Sequence, residues 1–208
     1  WNSSCLYFLA TVQRFQKSRG PRSRLFVWSF SIGLETFQKK YVVIFMADSS
    51  DDPKDVVRFY KKAQEGYDCV FGTRWSMAGS TKDYPMHKKV LNRLVNNIIR
   101  LLFQVRYDDC TNACKLYSRE TIKGLKPFLS HHFNLTVELP LKAIVRGYRY
   151  TVISNKWRNR QYGTSNLHIH EMGSRYLFII LYCLLEKWLS KGDYKYSNQA
   201  KALTLSED

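Results

Sequence analysis

The chain has 208 residues, of which 45% are hydrophobic and 24% charged, and these are ordinary values for one globular domain. The composition therefore excludes a globally disordered chain. Lys and Arg outnumber Asp and Glu by 33 to 17, so the net charge is +16. Such a charge favours anionic partners: nucleic acid, an anionic membrane face or phosphorylated small molecules.

The cysteine and hydropathy patterns bear on the compartment. Five cysteines are scattered along the chain, and this odd, unpatterned set argues against a disulfide framework and indicates a reducing compartment. The longest apolar run, residues 176–185, is about half as long as the ~20 residues that a membrane-spanning helix needs. The sequence therefore predicts neither a signal peptide nor a spanning helix.

The first predicted elements follow an N-terminal segment, residues 1–38, in which no clean period emerges. Residues 41–46 are continuously apolar and rich in β-branched side chains, which is typical of a strand buried on both faces. A helix is predicted from Pro53 to Gly66, followed by a strand at 67–71. The strand–helix–strand spacing predicts a βαβ unit and an α/β sheet.

Helical periodicity returns at residues 85–103, where Lys88 and Asn92 are four apart and therefore share a face. The remaining predicted elements are a strand at 114–117, a helix at 119–125, a helix at 133–145 that Pro140 delays or kinks, a strand at 148–154, a basic loop at 157–165 and a helix at 171–190.

An acidic turn, residues 47–52, comes directly after the first predicted strand. In open α/β sheets ligands bind outside the carboxyl ends of the strands, so Asp48 lies where a ligand is expected. Carboxylate and hydroxyl oxygens suit Mg²⁺ or Mn²⁺. Asp51 and Asp52 are better explained as caps of the helix that begins at Pro53, whereas Asp48 is favoured as a metal or substrate ligand.

Short motifs recur along the chain in a fixed order. They are Phe-Met-Ala-Asp-Ser-Ser-Asp-Asp-Pro at 45–53, Gly-Tyr-Asp at 66–68, Gly-Thr-Arg at 72–74, Asn-Arg at 92–93, Asp-Cys-Thr-Asn-Ala-Cys-Lys-Leu-Tyr at 109–117, the segment 138–147, and Arg-Gln-Tyr-Gly-Thr-Ser at 160–165. Each motif alone is weak, but the ordered set, which covers about residues 33–190, resembles family 2 glycosyltransferases of the dolichol-phosphate mannose synthase type.

This resemblance implies an α/β, GT-A-like fold: a Rossmann-type mixed sheet with flanking helices, in which the N-terminal βα units are missing or degraded. Residues 39–192 would be the C-terminal part of the catalytic domain, residues 1–38 a degraded or irregular segment, and 193–208 a polar tail. The implied reaction moves a hexose, such as mannose or glucose, from a nucleotide-diphosphate sugar to a polyprenyl (dolichyl or undecaprenyl) phosphate with inversion.

The resemblance also implies the site residues. Asp48 corresponds to the second acid of the family's Asp-x-Asp metal motif, with Ser50 close to an Mg²⁺ or Mn²⁺ ion. Asp109 corresponds to an acid that faces the sugar, and the Arg160 guanidinium bridges the phosphates of donor and acceptor. The expected catalytic residues are thus Asp48, Asp109 and Arg160, and the expected substrate-binding residues are Arg74, Lys88, Asn92, Arg160 and Ser165.

The expected partners are the nucleotide-sugar, the polyprenyl phosphate and an anionic membrane surface, with the protein peripheral to the cytoplasmic face. No recognised nucleic-acid motif is present, so no nucleic acid is expected. The run 176–185 has two interpretations that stay open. It is either a core helix, or an interfacial helix with Trp188 at the membrane boundary and Arg175, Lys187 and Lys191 towards the headgroups.

Two departures from the family pattern leave alternatives open. Met46 stands where the family has the first acid of its metal motif, and residues 1–38 do not supply the family's N-terminal strand. The sequence therefore predicts that these 208 residues alone do not turn over substrate. The alternatives are a sister enzyme with a glycan acceptor, an inactive glycosyltransferase-like fragment, and a basic module that binds membranes or nucleic acid.

Overall fold

The computed structural model describes residues 6–11, 32–46, 50–76, 81–82, 84–130, 134–159 and 169–196. In chain order its elements are β1 (Leu6–Thr11), α1 (32–36), β2 (Tyr41–Met46), α2 (Pro53–Gln64), β3 (Cys69–Thr73), β4 (Thr81–Lys82), α3 (Met86–Phe103), β5 (Lys115–Ser118), α4 (Arg119–Gly124), α5 (Leu135–Val145), β6 (Tyr150–Ser154), β7 (Trp157–Arg158) and α6 (Ile169–Leu189).

The main sheet is mixed and has five strands in the order β1-β2-β5-β3-β6, and β4 and β7 form a separate parallel pair. Strands β2 and β3 were predicted as the two strands of one βαβ unit. Both pair antiparallel with β5, so they run in the same direction, but β5 lies between them. The predicted direction is therefore confirmed, whereas the two strands are not direct neighbours.

Strand β1 lies within residues 1–38, for which the sequence predicted no regular element. It pairs in parallel with β2, with Leu6 opposite Tyr41 and Thr11 opposite Met46. The short helix α1 follows in the same segment, and its Leu34 is buried. The sequence of β1, Leu-Tyr-Phe-Leu-Ala-Thr, is a short apolar run, and periodicity alone does not distinguish such a run from a buried helix segment. The sequence pattern therefore did not predict β1.

Several predicted elements appear within about two residues of their expected bounds. Strand β2 is buried along nearly its whole length, as its apolar run predicted. Helix α2 begins at Pro53, and Asp52 is its N-cap because the Asp52 carboxylate accepts a hydrogen bond from the Lys54 N–H. Helix α5 continues through Pro140. Because residues 135–143 are all buried, their packing outweighs the ~3 kcal/mol that an internal proline costs.

Hydrophobic cores lie on both faces of the sheet. One contains Val42 and Phe71 with residues of α3, α5 and α6, and the other contains Val43 and Phe59 with residues of α2. Alternate residues of β2 thus point to opposite sides. Phe71 stacks on Tyr107, with ring centroids 5.0 Å apart. None of the helices in the described ranges is both long enough and apolar enough to cross a membrane.

Buried ion pairs attach the C-terminal helices. The Arg146 guanidinium, just after α5, donates from Nε and Nη2 to the Glu186 carboxylate of α6 at 2.7 and 2.9 Å. Within α5, Lys142 Nζ donates to Glu138 Oε1 at 2.6 Å, and Glu138 also accepts from the backbone N–H groups of Leu129 and Ser130. The Arg146–Glu186 pair thus joins α6 to the end of α5, and Glu138 joins α5 to the segment that precedes it.

Candidate functional site

Five of the predicted site residues lie in the described part of the chain: Ser50, Arg74, Lys88, Asn92 and Asp109. The other predicted residues lie outside the described residues, and they are Asp48, Arg160 and Ser165. The candidate site therefore comprises the described residues around the carboxyl ends of β2 and β3, which include Ser50 and Arg74.

A buried ion pair between Arg74 and Asp109 lies at the carboxyl end of β3. Arg74 Nε donates to Asp109 Oδ2 at 2.8 Å, and Nη2 donates to Oδ1 at 2.7 Å. The Arg74 backbone N–H donates to the same carboxylate at 2.9 Å. The Asp109 side chain is fully buried and the Arg74 side chain is 9% exposed. Two parallel charge-assisted hydrogen bonds fix both the position and the plane of the guanidinium.

The charge of Arg74 is stable to pH. Burial alone would lower the pKa of Arg74, but the adjacent Asp109 carboxylate raises it above its usual range. Burial also raises the pKa of Tyr84, and the Arg74 charge opposes that shift. The same two influences act on the pKa of Tyr176 in α6. The Arg74 guanidinium therefore stays protonated at the end of β3.

Asn92, on the second turn of α3, is connected to this pair through Thr111. Asn92 Nδ2 donates to Thr111 Oγ1 at 2.6 Å, and Arg74 Nη2 lies 3.4 Å from the same oxygen. Asn96, one turn further along α3, donates to the Asn92 side chain at 3.0 Å. The structure therefore brings together three predicted residues, Arg74, Asn92 and Asp109, around a hydroxyl that the prediction did not single out.

Lys88 is half-buried one turn before Asn92 on α3. Residues four apart on a helix share a face, so Lys88 lies on the side of α3 that carries Asn92 towards Thr111. This agrees with the predicted shared face of the two residues. Any role of Lys88 in binding remains a proposal.

Aromatic rings cover the outer side of Arg74. Its guanidinium carbon lies 5.6 Å from the Trp75 ring and 5.7 Å from the Tyr84 ring. Tyr84 also packs against Trp157 of β7, with ring centroids 4.8 Å apart. A second cation, Arg93 of α3, lies 5.7 Å from the Trp75 ring. The site is thus an enclosed, cationic and aromatic environment, in which charges act more strongly than in water.

A further hydrogen-bonded pair supports the end of β3. Thr73 Oγ1 donates to Asp108 Oδ1 at 2.8 Å and accepts from the Trp75 N–H at 3.2 Å. Asp108 also pairs with Arg93 at 3.4 Å, and its side chain is 23% exposed. The neighbouring acids Asp108 and Asp109 therefore both hold cations, but only Asp109 does so in full burial.

The two described acids after β2, Asp51 and Asp52, are engaged by protein groups. Asp51 accepts from the Met46 N–H at 3.4 Å and from Asn155 Nδ2 at 3.2 Å, so it joins the end of β2 to the segment between β6 and β7. Asp52 caps α2, as predicted. Ser50 is buried, and its carbonyl accepts from the Arg158 N–H at 2.8 Å. Asp51 is thus a structural cross-link rather than the predicted helix cap.

A close approach at Gly72 holds these segments together. A Cβ atom at Gly72 would lie 2.7 Å from Asn155 Oδ1 and 2.8 Å from the Cys114 carbonyl oxygen. Asn112 Nδ2 donates to the same Asn155 oxygen at 2.8 Å. Only a residue without a side chain fits at Gly72, and the contacts that it permits connect the ends of β3, β5 and β6.

Lys115 fixes the turn that carries Asp109. Its fully buried ammonium donates to the carbonyls of Cys110 and Thr136, at 3.0 and 2.9 Å, and to the carbonyl of Asn112. Burial lowers the pKa of Lys115 from 10.5 to about 8. The side chain thus hydrogen-bonds three carbonyls next to the site and is a positioning group.

The metal prediction rests on few ligands in this part of the chain. Within the described ranges, no group of three or more His, Cys, Asp or Glu side chains comes together as a metal site. Mg²⁺ commonly binds through one or two carboxylates, with water and substrate phosphates completing its shell. A single predicted carboxylate, Asp48, beside the buried Ser50 fits that pattern chemically.

Sequence reasoning did not single out several residues of this site. Thr111 lies inside the motif at 109–117, and Asn96 follows Asn92 at helical spacing, so both gave a local signal. No comparable signal marked Trp75, which is next to Arg74, or the partners of Arg74 and Asp51 that come from other segments, namely Tyr84, Asn155 and Trp157.

Comparisons with known proteins agree with this architecture. The sequence profile of Glycosyl transferase family 2 matches residues 8–125, more than half of the chain, and begins within the segment 1–38. Polyprenol monophosphomannose synthase of Mycolicibacterium smegmatis is 25% identical over 123 residues, which are 58% of this chain and 46% of that protein. An uncharacterized protein of Methanocaldococcus jannaschii is 26% identical over 131 residues, 62% of this chain and 54% of that protein. The chain thus spans about half the length of the curated relatives it matches.

Solved structures show the same fold. Glucosyl-3-phosphoglycerate synthase from Mycobacterium tuberculosis in complex with Mn²⁺ and uridine-diphosphate-glucose gives a TM-score of 0.53 at 15% identity, covering 78% of this chain and 54% of that chain. Its complex with phosphoglyceric acid gives 0.51 at 14% identity, covering 74% and 51%. The expected GT-A-like mixed sheet with flanking helices is confirmed. The family match, with this fold, shows that the chain belongs to glycosyltransferase family 2.

Proposed function

We propose that the site around Arg74 serves the transfer of a hexose from a nucleotide-diphosphate sugar to a polyprenyl phosphate, with inversion at the anomeric carbon. The observation that carries the proposal is the buried, bidentate Arg74–Asp109 pair at the carboxyl end of β3 in a family 2 glycosyltransferase. The polyprenol monophosphomannose synthase among the relatives supports a lipid phosphate as acceptor. Mannose and glucose are both compatible with the proposal.

Arg74 is the proposed phosphate-binding cation. As the bond between sugar and diphosphate breaks, negative charge develops on the leaving oxygen, and a pre-oriented guanidinium stabilises that charge without moving. Asp109 holds Arg74 through both carboxylate oxygens. It is therefore proposed to act on the donor through Arg74, as a positioning residue, in addition to the sugar-facing role that the resemblance implies.

The acceptor needs little activation, because a phosphate oxygen is already anionic and no strong general base is required. Lys88 and Asn92, on one face of α3, are proposed to hold that phosphate, with Arg160 and Ser165 completing the set. Asn92 is oriented by its bond to Thr111, which is shared with Arg74. Donor and acceptor groups would thus be positioned by one hydrogen-bonded network.

A divalent cation, Mg²⁺ or Mn²⁺, is the proposed cofactor. Asp48 and Ser50 would hold it, and when bound it supplies positive charge that neutralises the diphosphate leaving group. The Mn²⁺ complex of glucosyl-3-phosphoglycerate synthase with uridine-diphosphate-glucose supports this proposal. The proposed place of action is the cytoplasmic face of a membrane, where a polyprenyl phosphate is accessible to a peripheral protein.

The test is a transfer assay with UDP- and GDP-linked labelled hexoses, Mn²⁺ and polyprenyl phosphate in detergent. Labelled lipid that disappears when polyprenyl phosphate is omitted supports the proposed transfer, and it also overturns the expectation that these 208 residues do not turn over alone. Nucleotide binding without labelled lipid supports a non-catalytic domain. The absence of both nucleotide binding and labelled product would contradict the proposal.

Each of the alternative functions has an observation or an outcome that would favour it. Met46, which stands at the first position of the metal motif, is 7% exposed and offers no carboxylate, and this favours an inactive glycosyltransferase-like domain. A label that enters a glycan rather than a lipid would indicate the sister enzyme. Steeply salt-dependent binding to DNA or RNA, together with no nucleotide-diphosphate binding, would instead identify a basic nucleic-acid module.

A further inference from the structure

Two neighbouring helices carry most of the apolar side chains that the fold leaves exposed. Of the 15 large apolar side chains that are exposed among the described residues, 12 lie on α3 or α6. Isolated exposed apolar residues are normal, whereas a concentration on adjacent elements marks an interaction surface. The 12 are Met86, Val90, Leu91, Leu94, Ile98 and Leu101 on α3, and Leu177, Phe178, Leu181, Leu185, Trp188 and Leu189 on α6.

Helix α3 is apolar on its outward side as well as on its inward side. Its inward side carries Ile99 and Phe103, which belong to the core, and Asn96, which is 1% exposed and is bonded to Asn92. Its outward side carries Val90, Leu94 and Leu101, of which Leu101 is 78% exposed. An ordinary surface helix buries its apolar stripe and exposes its polar one. Helix α3 therefore presents an apolar stripe that the described chain does not cover.

Helix α6 has a second outward stripe. Leu177, Leu181, Leu185 and Trp188 recur at helical spacing along it, and each is at least half exposed. The two helices are in contact, because Lys187 Nζ of α6 donates to the Phe103 carbonyl at the end of α3 at 2.8 Å. The two stripes thus belong to adjacent helices.

The charges on these helices indicate what the stripes contact. Helix α3 carries four basic residues and no acid, and they are Lys88, Lys89, Arg93 and Arg100. On α6, Glu186 is buried against Arg146, so its charge is not presented outwards. An apolar stripe flanked by cations matches an anionic lipid surface. A two-fold interface between copies would bring like charges together, which disfavours a second copy as the occupant.

We propose that the outward sides of α3 and α6 are a docking surface for an anionic membrane, with the apolar stripes at the acyl boundary and the basic side chains at the headgroup phosphates. The inference rests on the peripheral location proposed above and adds α3 and the surface itself, but it does not depend on sugar transfer. It places Asn92 of α3, and through Thr111 the Arg74 guanidinium, close to the level of the headgroups.

The test is cosedimentation of the full 208-residue chain with vesicles of phosphatidylcholine, with and without phosphatidylglycerol, in the absence of donor and acceptor. Two double variants place charge in the stripes: Leu94→Glu with Leu101→Glu, and Leu181→Glu with Leu185→Glu. The control, Gln38→Glu with Gln64→Glu, adds the same charge at exposed polar positions. Thermal melting checks each fold, and Leu101→Ser and Leu185→Ser replace a double variant that does not fold.

We expect the wild type and the control to bind phosphatidylglycerol vesicles, and each stripe variant to bind about tenfold more weakly or worse. Binding should weaken in high salt and on phosphatidylcholine alone. Equal binding of wild type and stripe variants, or no binding by the wild type, would overturn the inference. So would a dimer in lipid-free sedimentation velocity that the stripe variants dissociate, since the stripes would then belong to a second copy. Sugar transfer in detergent tests the proposed function separately.

Discussion

Arg74 and Asp109 show how a single contact organises this site. The two residues are 35 positions apart, yet three hydrogen bonds join them in a buried environment. Removing one member of such a pair leaves the other charge buried without compensation, which costs far more than the loss of an exposed pair. Asp109 therefore supports both the stability of the fold and the position of Arg74.

The first prediction compares Asp109→Asn with Asp108→Asn, a matched change at the adjacent residue. Asp109→Asn should lower the free energy of unfolding by about 3 kcal/mol, because Arg74 loses its buried counter-charge. Asp108→Asn should cost ~1 kcal/mol or less, because its pair with Arg93 is longer and partly exposed. Urea unfolding measures the free energy of unfolding of both variants. Equal losses would show that the Arg74–Asp109 pair does not stabilise the fold more than the Arg93–Asp108 pair does.

Gly72 gives a second prediction at the residue scale. Gly72→Ala should destabilise the protein by about 1–3 kcal/mol, because its Cβ would lie within 2.9 Å of three neighbouring atoms. Gly173→Ala in α6 is the control, since nothing lies within 4 Å of its added Cβ. The control should be neutral or stabilise by up to ~1 kcal/mol, as alanine favours a helix. A melting temperature unchanged in Gly72→Ala would refute the close approach.

At the scale of elements, Lys115 couples β5 to the turn of Asp109 and to α5. Its ammonium donates to carbonyl groups from both segments and contacts no carboxylate among its hydrogen-bond partners. Burial lowers its pKa from 10.5 to about 8, so the unfolded chain keeps this proton up to a higher pH than the folded chain. Its contribution to stability must therefore rise with pH between these two values.

The third prediction follows from that difference. Relative to Lys115→Met, the wild-type free energy of unfolding should increase by about 2 kcal/mol between pH 7.5 and pH 9.5. Well below pH 8 the folded and the unfolded chain both hold the Lys115 proton. The difference in free energy of unfolding between wild type and Lys115→Met should then become constant. Urea unfolding of both proteins at three pH values measures it. A difference that stays flat or falls through this window contradicts the lowered pKa.

Elements that depend on local pattern were predictable, and those that depend on remote partners were not. The apolar run of β2 and the periodicity of α3 gave their bounds almost to the residue. Strand β1 has only a short apolar run, which does not distinguish a strand from a buried helix segment, and its only described partner is β2. The insertion of β5 between β2 and β3 is likewise set by pairing across many residues.

The same distinction applies to the site. The order of motifs identified Arg74, Asn92 and Asp109, because the residue types themselves carry the signal. The order of motifs could not show that Asp109 binds the Arg74 guanidinium, because that contact depends on how β3 and the following loops pack. Asp51 differs from its prediction. Its position beside Asp52 suggested a helix cap, whereas the structure pairs it with Asn155, which is 104 residues away.

At the scale of the whole molecule, two properties are spread over the fold: the positive net charge and the buried cysteine thiols. The net charge of +16 agrees with the phosphorylated substrates and the anionic membrane proposed here. Four cysteines, Cys69, Cys110, Cys114 and Cys183, are buried and free. No disulfide therefore joins any of these four.

The fourth prediction concerns these thiols. Burial raises the pKa of Cys110 to about 12 and raises the pKa values of the other three as well. Because only the thiolate reacts, the native protein at pH 8 should label slowly with Ellman's reagent at all four. In urea all five cysteines of the chain should react at once. Rapid native labelling of more than one thiol would contradict the packing of the cores.

The central claim, that a cation held by Asp109 binds the phosphates of a nucleotide-sugar, is tested most directly by calorimetric titration with UDP and GDP in the presence of Mn²⁺. The wild type should bind one of them with a dissociation constant of ~0.1–1 mM, at the weak end of ordinary substrate affinities. Arg74→Gln should bind at least about tenfold more weakly, a loss of ~1.4 kcal/mol. Arg58→Gln, which removes an equally charged side chain that is 48% exposed on α2, should bind like the wild type. Binding that is unchanged in Arg74→Gln, or absent for both nucleotides in the wild type, would contradict the claim.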